Sequence, residues 1–478
     1  MKPSAESPHR RTRAWACRTL RVLGSSIGLA ISAHIGVRVF SRMTPPTVEI
    51  PREGTWTAWT AERAGVKAIY LEGPSEAIGA GHSRLLRAAM IADEEQLWKN
   101  YERLVPWSLA RVTIEDISLF RYRSLDRNLP DAMRRELAAQ SLAMQPDPLA
   151  WHFDTYQRLV FLHALYDVAL AFEHSPLIGC TSFALGPSRT VDGHILAARA
   201  FDFEGGEVFD RDKAVLLVRG QDAIPYASVA WPGFVGVLTG MNADGVFAVV
   251  HGARAGSARV DGMPAGASVR QVLERAHDVR EAIDVLRRQD VMVSHIVFLA
   301  DASGQFAVVE RAPGVAPTVR ERHDSMSVTN EFEGSLALDP NNLRVHRETT
   351  SSARGRRIAA LLASVNPGSA DPHMALDFLR DHSCADDPAC PLGDRRAIDA
   401  LIATHGVVAD LTSRSLWVSA GPHLSGHFVR FDLATWFEPR HDPSTDGPPD
   451  TLPEDPILRD GRFASERARA TEDRRSSP

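Results

Sequence analysis

Cysteine is scarce in this chain of 478 residues: there are four, at positions 17, 180, 384 and 390. So few, so unevenly placed, exclude a disulfide framework and a four-cysteine metal site, and each has to be judged separately. A surplus of charge of one sign is also missing. With 54 Lys and Arg against 60 Asp and Glu, the formal charge of -6 supplies no field for a polyanion, which excludes nucleic acid as the default partner and favours a small or apolar one. There is no H-E-x-x-H, no P-loop and no histidine pair at ligand spacing, so no metal and no cofactor is expected. The one G-x-S-x-G match, Gly24-Ser25-Ser26-Ile27-Gly28, lies in an apolar run with no strand before it and is accidental. No internal repeat is present.

What is there is a globular composition, 44% hydrophobic and 24% charged, able to bury a large core in one big domain or two ordinary ones. Near the N-terminus the apolar run 22–37 follows Lys2, Arg10, Arg11, Arg13, Arg18 and Arg21. The basic flank should stay in the cytoplasm, so the rest of the chain is expected on the periplasmic or extracellular face. The run is short for a spanning helix and reads either as a signal anchor, with membrane contact through residues 20–40, or as a cleavable signal peptide.

The remainder divides by texture. Residues 43–60, rich in Pro and Thr, read as a linker, and 75 to 175 as amphipathic helices broken at prolines. From Cys180 to Gly252 short β-branched runs alternate with Gly and Asp-Gly punctuation, the pattern of antiparallel hairpins. A helix is predicted over Ser268 to Asp290, a hairpin over Val293 to Arg311 and a helix over Arg347 to Ala363. Strands return at Val407 to Ala420 and His427 to Leu433. The class is α+β, with helices packed on sheets. Four segments result: 1–42 for export, 43–179 as a helical upstream segment, 180–436 as the main domain and 437–478 as a solvated, disordered tail.

One hairpin draws attention. Gly179-Cys180-Thr181-Ser182 opens a strand whose return strand, His194 to Glu204, follows Asp192-Gly193; symmetry about that turn sets Cys180 opposite Phe201, with Arg199 and Asp202 close by. Alternation puts Arg199 and Asp202 on opposite faces unless a bulge intervenes.

Here the chain resembles the cysteine N-terminal-nucleophile hydrolases of the penicillin acyltransferase family, related to choloylglycine hydrolase and N-acylethanolamine amidase. The similar blocks are Gly179-Cys180-Thr181-Ser182 and Ala198-Arg199-Ala200-Phe201-Asp202-Phe203. Leu71-Glu72-Gly73-Pro74 with Ile78-Gly79 and His82 precedes them; Gly240 to Gly245, Val328-Thr329-Asn330-Glu331 and Leu416 to Pro422 follow, in the family's order. The resemblance implies a four-layer αββα sandwich, a pro-segment or small subunit over 43–179, and self-cleavage between Gly179 and Cys180. It also implies a small-molecule N-acyl amide as the substrate.

The residue types suit that chemistry. A thiolate is a strong nucleophile, and a freed α-amine with a pKa near 8 lets one residue act as nucleophile and base. Gly179 has no side chain to oppose a strained backbone during an N-to-S shift. Arg199 would hold the thiolate or substrate carbonyl, Asp202 would orient the new ammonium, and Asn330 would donate to the oxyanion. Each has a plainer alternative: Cys180 as a small buried hydrophobe, Arg199 and Asp202 as an ordinary ion pair, Asn330 as a turn former. Two departures stand out. Ala198-Arg199-Ala200 replaces the family's Gly-Arg-Asn, and His251 and Arg254 are the nearest candidates for an oxyanion residue, although His251 reads first as a structural histidine. Two other readings stay open, an unprocessed binding protein of the envelope and an esterase. Cys384 and Cys390 are expected either to close a short disulfide in an exported protein or to remain free surface thiols.

Overall fold

The computed structural model of the chain describes residues 25–26, 28–171, 178–203, 206–438 and 441–476. Cys17 and part of the apolar run 22–37 lie outside the described residues.

Runs such as Ala214-Val-Leu-Leu-Val218 and Phe247-Ala-Val-Val250 are apolar at every position, which suits strands covered on both faces. Such strands build two sheets. The first orders its strands β1-β2-β5-β6-β7-β8-β9-β10-β11, and the second β12-β3-β4-β13-β14-β15-β16. The strands are β1 (Thr57–Arg63), β2 (Val66–Gly73), β3 (Ile178–Leu185), β4 (Leu196–Phe203), β5 (Ala214–Gly220), β6 (Tyr226–Ala230), β7 (Thr239–Asn242) and β8 (Phe247–Gly252). They continue with β9 (His295–Ala300), β10 (Phe306–Ala312), β11 (Val315–Arg322), β12 (Ser325–Val328), β13 (Ala403–Asp410), β14 (Ser415–Ser419), β15 (Phe428–Asp432) and β16 (Thr451–Leu452). Neighbours run antiparallel except β2 and β5.

Alternation along each strand assigns side chains to three cores. Val215, Leu217, Phe247, Val249, Val407 and Ala409 meet between the sheets. Leu216, Val218, Ala248 and Val250 point the other way, against helices. Those helices are α2 (Ser75–Leu104), α4 (Asp131–Ala143), α5 (Thr155–His163), α8 (Ala265–Arg275) and α9 (Val279–Arg287). Behind the second sheet, Phe183, Leu196 and Val408 pack on α11 (Ser351–Ser364) and α12 (Pro372–Leu379). Helix, sheet, sheet, helix is the αββα sandwich that the resemblance implied. The remaining helices are α1 (residues 28–40), α3 (Ser108–Arg121), α6 (Leu165–Ala171), α7 (Val208–Arg211), α10 (Pro340–Glu348), α13 (Leu433–Trp436) and α14 (Arg462–Ser476).

Several expectations change. The upstream segment 43–179 is not only helical, because β1 is the edge strand of the first sheet and β2 the strand beside it, and the expected linker ends where β1 begins at Thr57. The helix expected over Ser268 to Asp290 is two: the Asp278 side chain accepts the N–H of Glu281 and starts a new helix, α9. The helix expected over Arg347 to Ala363 likewise breaks at Thr349, between α10 and α11. The tail 437–478 is not simply solvated. β16 pairs with β15, Leu452 joins the outer core, and Ile457 is buried. A mean composition dominated by Pro, Asp and Arg hid these two apolar anchors. Cys384 and Cys390 are joined as a disulfide, with Cα atoms 5.7 Å apart.

Candidate active site

β3 and β4 pair in the register that turn symmetry predicted: Gly179 opposite Asp202, Cys180 opposite Phe201, Ser182 opposite Arg199. Residues directly opposite share a face. Cys180, Ser182 and Arg199 therefore look towards the first sheet, and Gly179 and Asp202 look the other way. Arg199 and Asp202 form no ion pair.

The Cys180 thiol is fully buried. Arg199 Nη2 lies 3.3 Å from its Sγ. The same guanidinium donates to the carbonyls of Leu238 and Val250, each at 2.6 Å, which pins it across the two sheets and aims it at sulfur. Burial pushes the thiol pKa up, against the lowering pull of Arg199, so in this closed state the sulfur holds its proton.

The backbone of Cys180 is held as firmly as its side chain. Its N–H donates to Asn330 Oδ1 at 2.9 Å. Asn330 follows β12, the edge strand beside β3, and its own N–H is anchored on Ser351 Oγ. Its Nδ2 donates to the Gly252 carbonyl at 2.9 Å, so the amide is oriented by a donor on one side and an acceptor on the other. The donor proposed for an oxyanion is thus occupied while the chain is unbroken.

Sequence reasoning missed Arg354. This buried residue of α11 donates from Nη1 to the Cys180 carbonyl at 2.6 Å and to Thr181 Oγ1 at 3.0 Å, and from Nη2 to Asn330 Oδ1 at 2.8 Å. No signal marked it. It sits in Arg354-Gly355-Arg356-Arg357, where Arg356 and Arg357 make ion pairs with Asp386 and Asp381, and spacing does not say which arginine turns inward. Tyr166 of α6 was missed as well. Its buried hydroxyl makes no hydrogen bond and feels the field of Cys180.

Asp202 stands on the other side of the strand. A Cβ built on Gly179 would lie 2.8 Å from Asp202 Oδ2. A side chain at 179 would therefore have to push the Asp202 carboxyl aside, and the φ of Gly179 is not in the left-handed region. Burial, partly offset by Arg354, pushes the Asp202 pKa up to about 7. Gly179, Asp202, Asn330 and Arg354 all border a cavity of about 870 Å³. Apolar groups line much of it, among them Ile114, Ile117, Val168, Leu170 and Val293, with Arg254, Arg344 and Arg395 also on its wall.

His251 is not brought to Cys180. Its Nε2 is 2.8 Å from Ser182 Oγ, two residues deeper between the sheets, and burial holds its pKa well below the usual histidine range. A neutral, buried, hydrogen-bonded imidazole there is a structural one.

Comparison with known proteins agrees with the resemblance. Residues 192–386 match the family model described as acyl-coenzyme A:6-aminopenicillanic acid acyl-transferase, a span that holds Arg199, Asp202, Asn330 and Arg354 and begins after Cys180. An uncharacterized protein of Archaeoglobus fulgidus is 28% identical over 152 residues, 30% of this chain and 25% of that protein. The chain thus spans about a quarter of the length of the curated relative it matches. Among solved structures, the Caenorhabditis elegans N-acylethanolamine-hydrolyzing acid amidase ortholog aligns with a TM-score of 0.36 and 16% identity, over 49% of this chain and 93% of that one. Penicillin V acylase from Agrobacterium tumefaciens aligns at 0.33 and 19%, over 53% and 91%. A conjugated bile acid hydrolase variant from Clostridium perfringens aligns at 0.35 and 13%, over 58% and 97%. The four layers rest on this chain's own sheets and cores rather than on those scores.

Proposed function

Starting from an acyl-transferase family segment at residues 192–386, we propose that this chain is a self-processing amide hydrolase or acyltransferase whose nucleophile is Cys180. The observation that carries the reading is convergence. Arg199 on the sulfur, Asn330 on the nitrogen and Arg354 on the carbonyl all converge on the one residue Cys180, with Asp202 against Gly179 before it, and Gly179 borders a cavity.

In maturation, Sγ of Cys180 attacks the Gly179 carbonyl carbon. The carbon–sulfur bond forms, the carbon–nitrogen bond breaks, and the thiol proton passes to the departing amine, with Asp202, against Gly179 on the opposite face of the strand, placed to hold the resulting ammonium. Water then cleaves the thioester and leaves Cys180 as a new N-terminus. Burial holds the thiol protonated in the unbroken chain, and the new ammonium adds a second cation beside sulfur that pulls its pKa down. The catalytic cycle repeats the geometry with substrate in place of Gly179. The α-amine takes the thiol proton, Sγ adds to the amide carbon, and the ammonium returns the proton to the leaving nitrogen. The acyl thioester then goes to water or to an acceptor amine. Asn330 Oδ1, which accepts from the Cys180 N–H in the unbroken chain, accepts from that ammonium afterwards, and Asn330 Nδ2 is the donor for the oxyanion once Gly252 is released. The apolar wall favours a long-chain or aromatic acyl group.

Intact-mass analysis of the expressed chain tests this. A fragment beginning at Cys180 is the expected product, and a Cys180→Ala chain that still splits there refutes it. One observation favours a second reading, an unprocessed protein that binds an acylated ligand: the thiol is fully buried in the unbroken chain. An uncut protein whose Cys180 resists alkylation when folded would establish it. Paired amide and ester substrates separate amidase from esterase.

A further inference from the structure

Helix α1 is built inside out for a helix facing water. Its inward stripe is His34, Val37, Arg38 and Ser41, spaced i, i+3, i+4, i+7, and three of the four are polar. His34 Nδ1 is 2.8 Å from Asp116 and Arg38 Nη2 is 3.1 Å from Glu115, both carboxylates on α3. The outward side is the apolar one: Leu29, Ile31, Ile35, Val39 and Phe40 are each more than half exposed. Ion pairs hold the helix down while its hydrophobic stripe points away from the protein, the reverse of the usual amphipathic arrangement.

The exposed face continues onto α3. Phe40 stacks on Phe120 with centroids 6.0 Å apart, and Ile117 and Ile114, also exposed, run on into the cavity wall. Nine of the sixteen exposed large hydrophobic residues among the described ones lie on α1 (Leu29, Ile31, Ile35, Val39, Phe40) or α3 (Leu109, Ile114, Ile117, Phe120), and the Phe40–Phe120 contact joins the two helices' exposed sides into one patch. Its border is cationic. Arg123 lies over both the Phe40 and Phe120 rings, and Arg42, paired with Asp154, is exposed at the end of α1; in sequence alone, six cationic residues against Glu6 precede α1.

We propose that α1 and the exposed face of α3 dock flat on an anionic phospholipid bilayer, with the cavity opening beside the docked face. No helix among the described residues is long and apolar enough to cross a membrane. An apolar stripe with a basic border is the pattern of a helix lying in the interface. A second copy of the chain is the poorer occupant, since two such faces meeting would bring their cationic borders together. Ile114 and Ile117 then join bilayer to cavity, and an acyl chain can pass between them without entering water. That last step rests on the proposed amidase reading; docking itself does not.

The test is co-sedimentation of the purified full chain with vesicles of phosphatidylglycerol mixed with phosphatidylcholine, and with phosphatidylcholine alone. An Ile35→Glu, Val39→Glu, Phe120→Glu variant changes only exposed residues outside the cavity wall. The wild-type chain should pellet with the anionic vesicles, with weaker binding to the neutral ones, and the variant's bound fraction should fall at least about tenfold. Its melting temperature, and its turnover of a soluble short-chain N-acyl amide, should not change. Failure of the wild-type chain to bind, equal binding by the variant, or a purified protein that begins after residue 42 overturns the proposal. So does a dimer in light scattering that the variant dissociates without any vesicle binding by either chain. Because binding is scored without substrate, an inactive protein would still decide it.

Discussion

Replacing Asp202 with Asn should make the unprocessed chain more stable and almost unable to mature. The Asp202 carboxyl is buried, its Oδ1 makes no hydrogen bond, and burial raises its pKa from 3.8 to about 7. Below pH 3.8 the folded and unfolded chains both carry the proton. Between 3.8 and about 7 the unfolded chain has ionised and the folded one has not, so raising the pH removes stability; above that window nothing further is lost. At about 1.4 kcal/mol per pH unit the whole span is roughly 4 kcal/mol, of which roughly 3 kcal/mol falls between pH 4.5 and 8. An Asn side chain does not titrate, so the variant escapes this loss. Urea unfolding of Cys180→Ala and of Cys180→Ala, Asp202→Asn at both pH values measures it, because any pH-independent effect of the substitution cancels in the difference. The advantage of Asn should be greater at pH 8 by that amount. With Cys180 intact, Asp202→Asn should slow appearance of the Cys180 N-terminus by about a hundredfold or more. A stability difference that does not change with pH, or one that favours Asn more at the acid end, refutes the assignment of a buried, unsatisfied carboxylate.

Arg354→Met should destabilise the unprocessed chain by about 3 kcal/mol, since the Cys180 carbonyl and Asn330 Oδ1 both lose a charged donor, and should slow maturation. Urea midpoints and a gel time course of cleavage report both effects, and Arg354→Lys should not restore them, because an ammonium cannot reproduce the forked contact. Gly179→Ala should slow maturation because the new Cβ meets Asp202 Oδ2, yet material that does mature should turn over substrate at the wild-type rate, residue 179 having left the nucleophile. Equal maturation rates for Gly and Ala would show that the contact does not matter. A Cys384→Ser, Cys390→Ser chain should mature and stay active with stability lowered by about 2 kcal/mol, as fits a short loop, and mass mapping without reductant should find the pair oxidised.

Much of the site was legible because it is local. A strand of known alternation, a turn at Asp192-Gly193 and the position of Cys180 are enough to set it opposite Phe201 and to put Arg199 and Asp202 on opposite faces. The αββα layering was legible in the same sense: strands apolar at every position need cover on both sides, and helices with apolar stripes supply it. A stop signal was present and overlooked at Asp278, where Asp-x-x-Glu begins α9. Leu452 and Ile457 were obscured by the polar residues around them.

The sequence by itself determined which groups exist and how each strand alternates: one buried-type cysteine preceded by glycine, an arginine and an aspartate nineteen and twenty-two residues on, and an asparagine after a short strand. Only the tertiary structure decided which of them share a volume. Arg354 reaches Cys180 across 174 positions, and Asn330 across 150, through helix and strand packing that no local period encodes. The outward turn of the α1 hydrophobic stripe is a tertiary fact too. A helical period marks an apolar side and a polar side, and the ion pairs of His34 and Arg38 with α3 choose which one faces the protein.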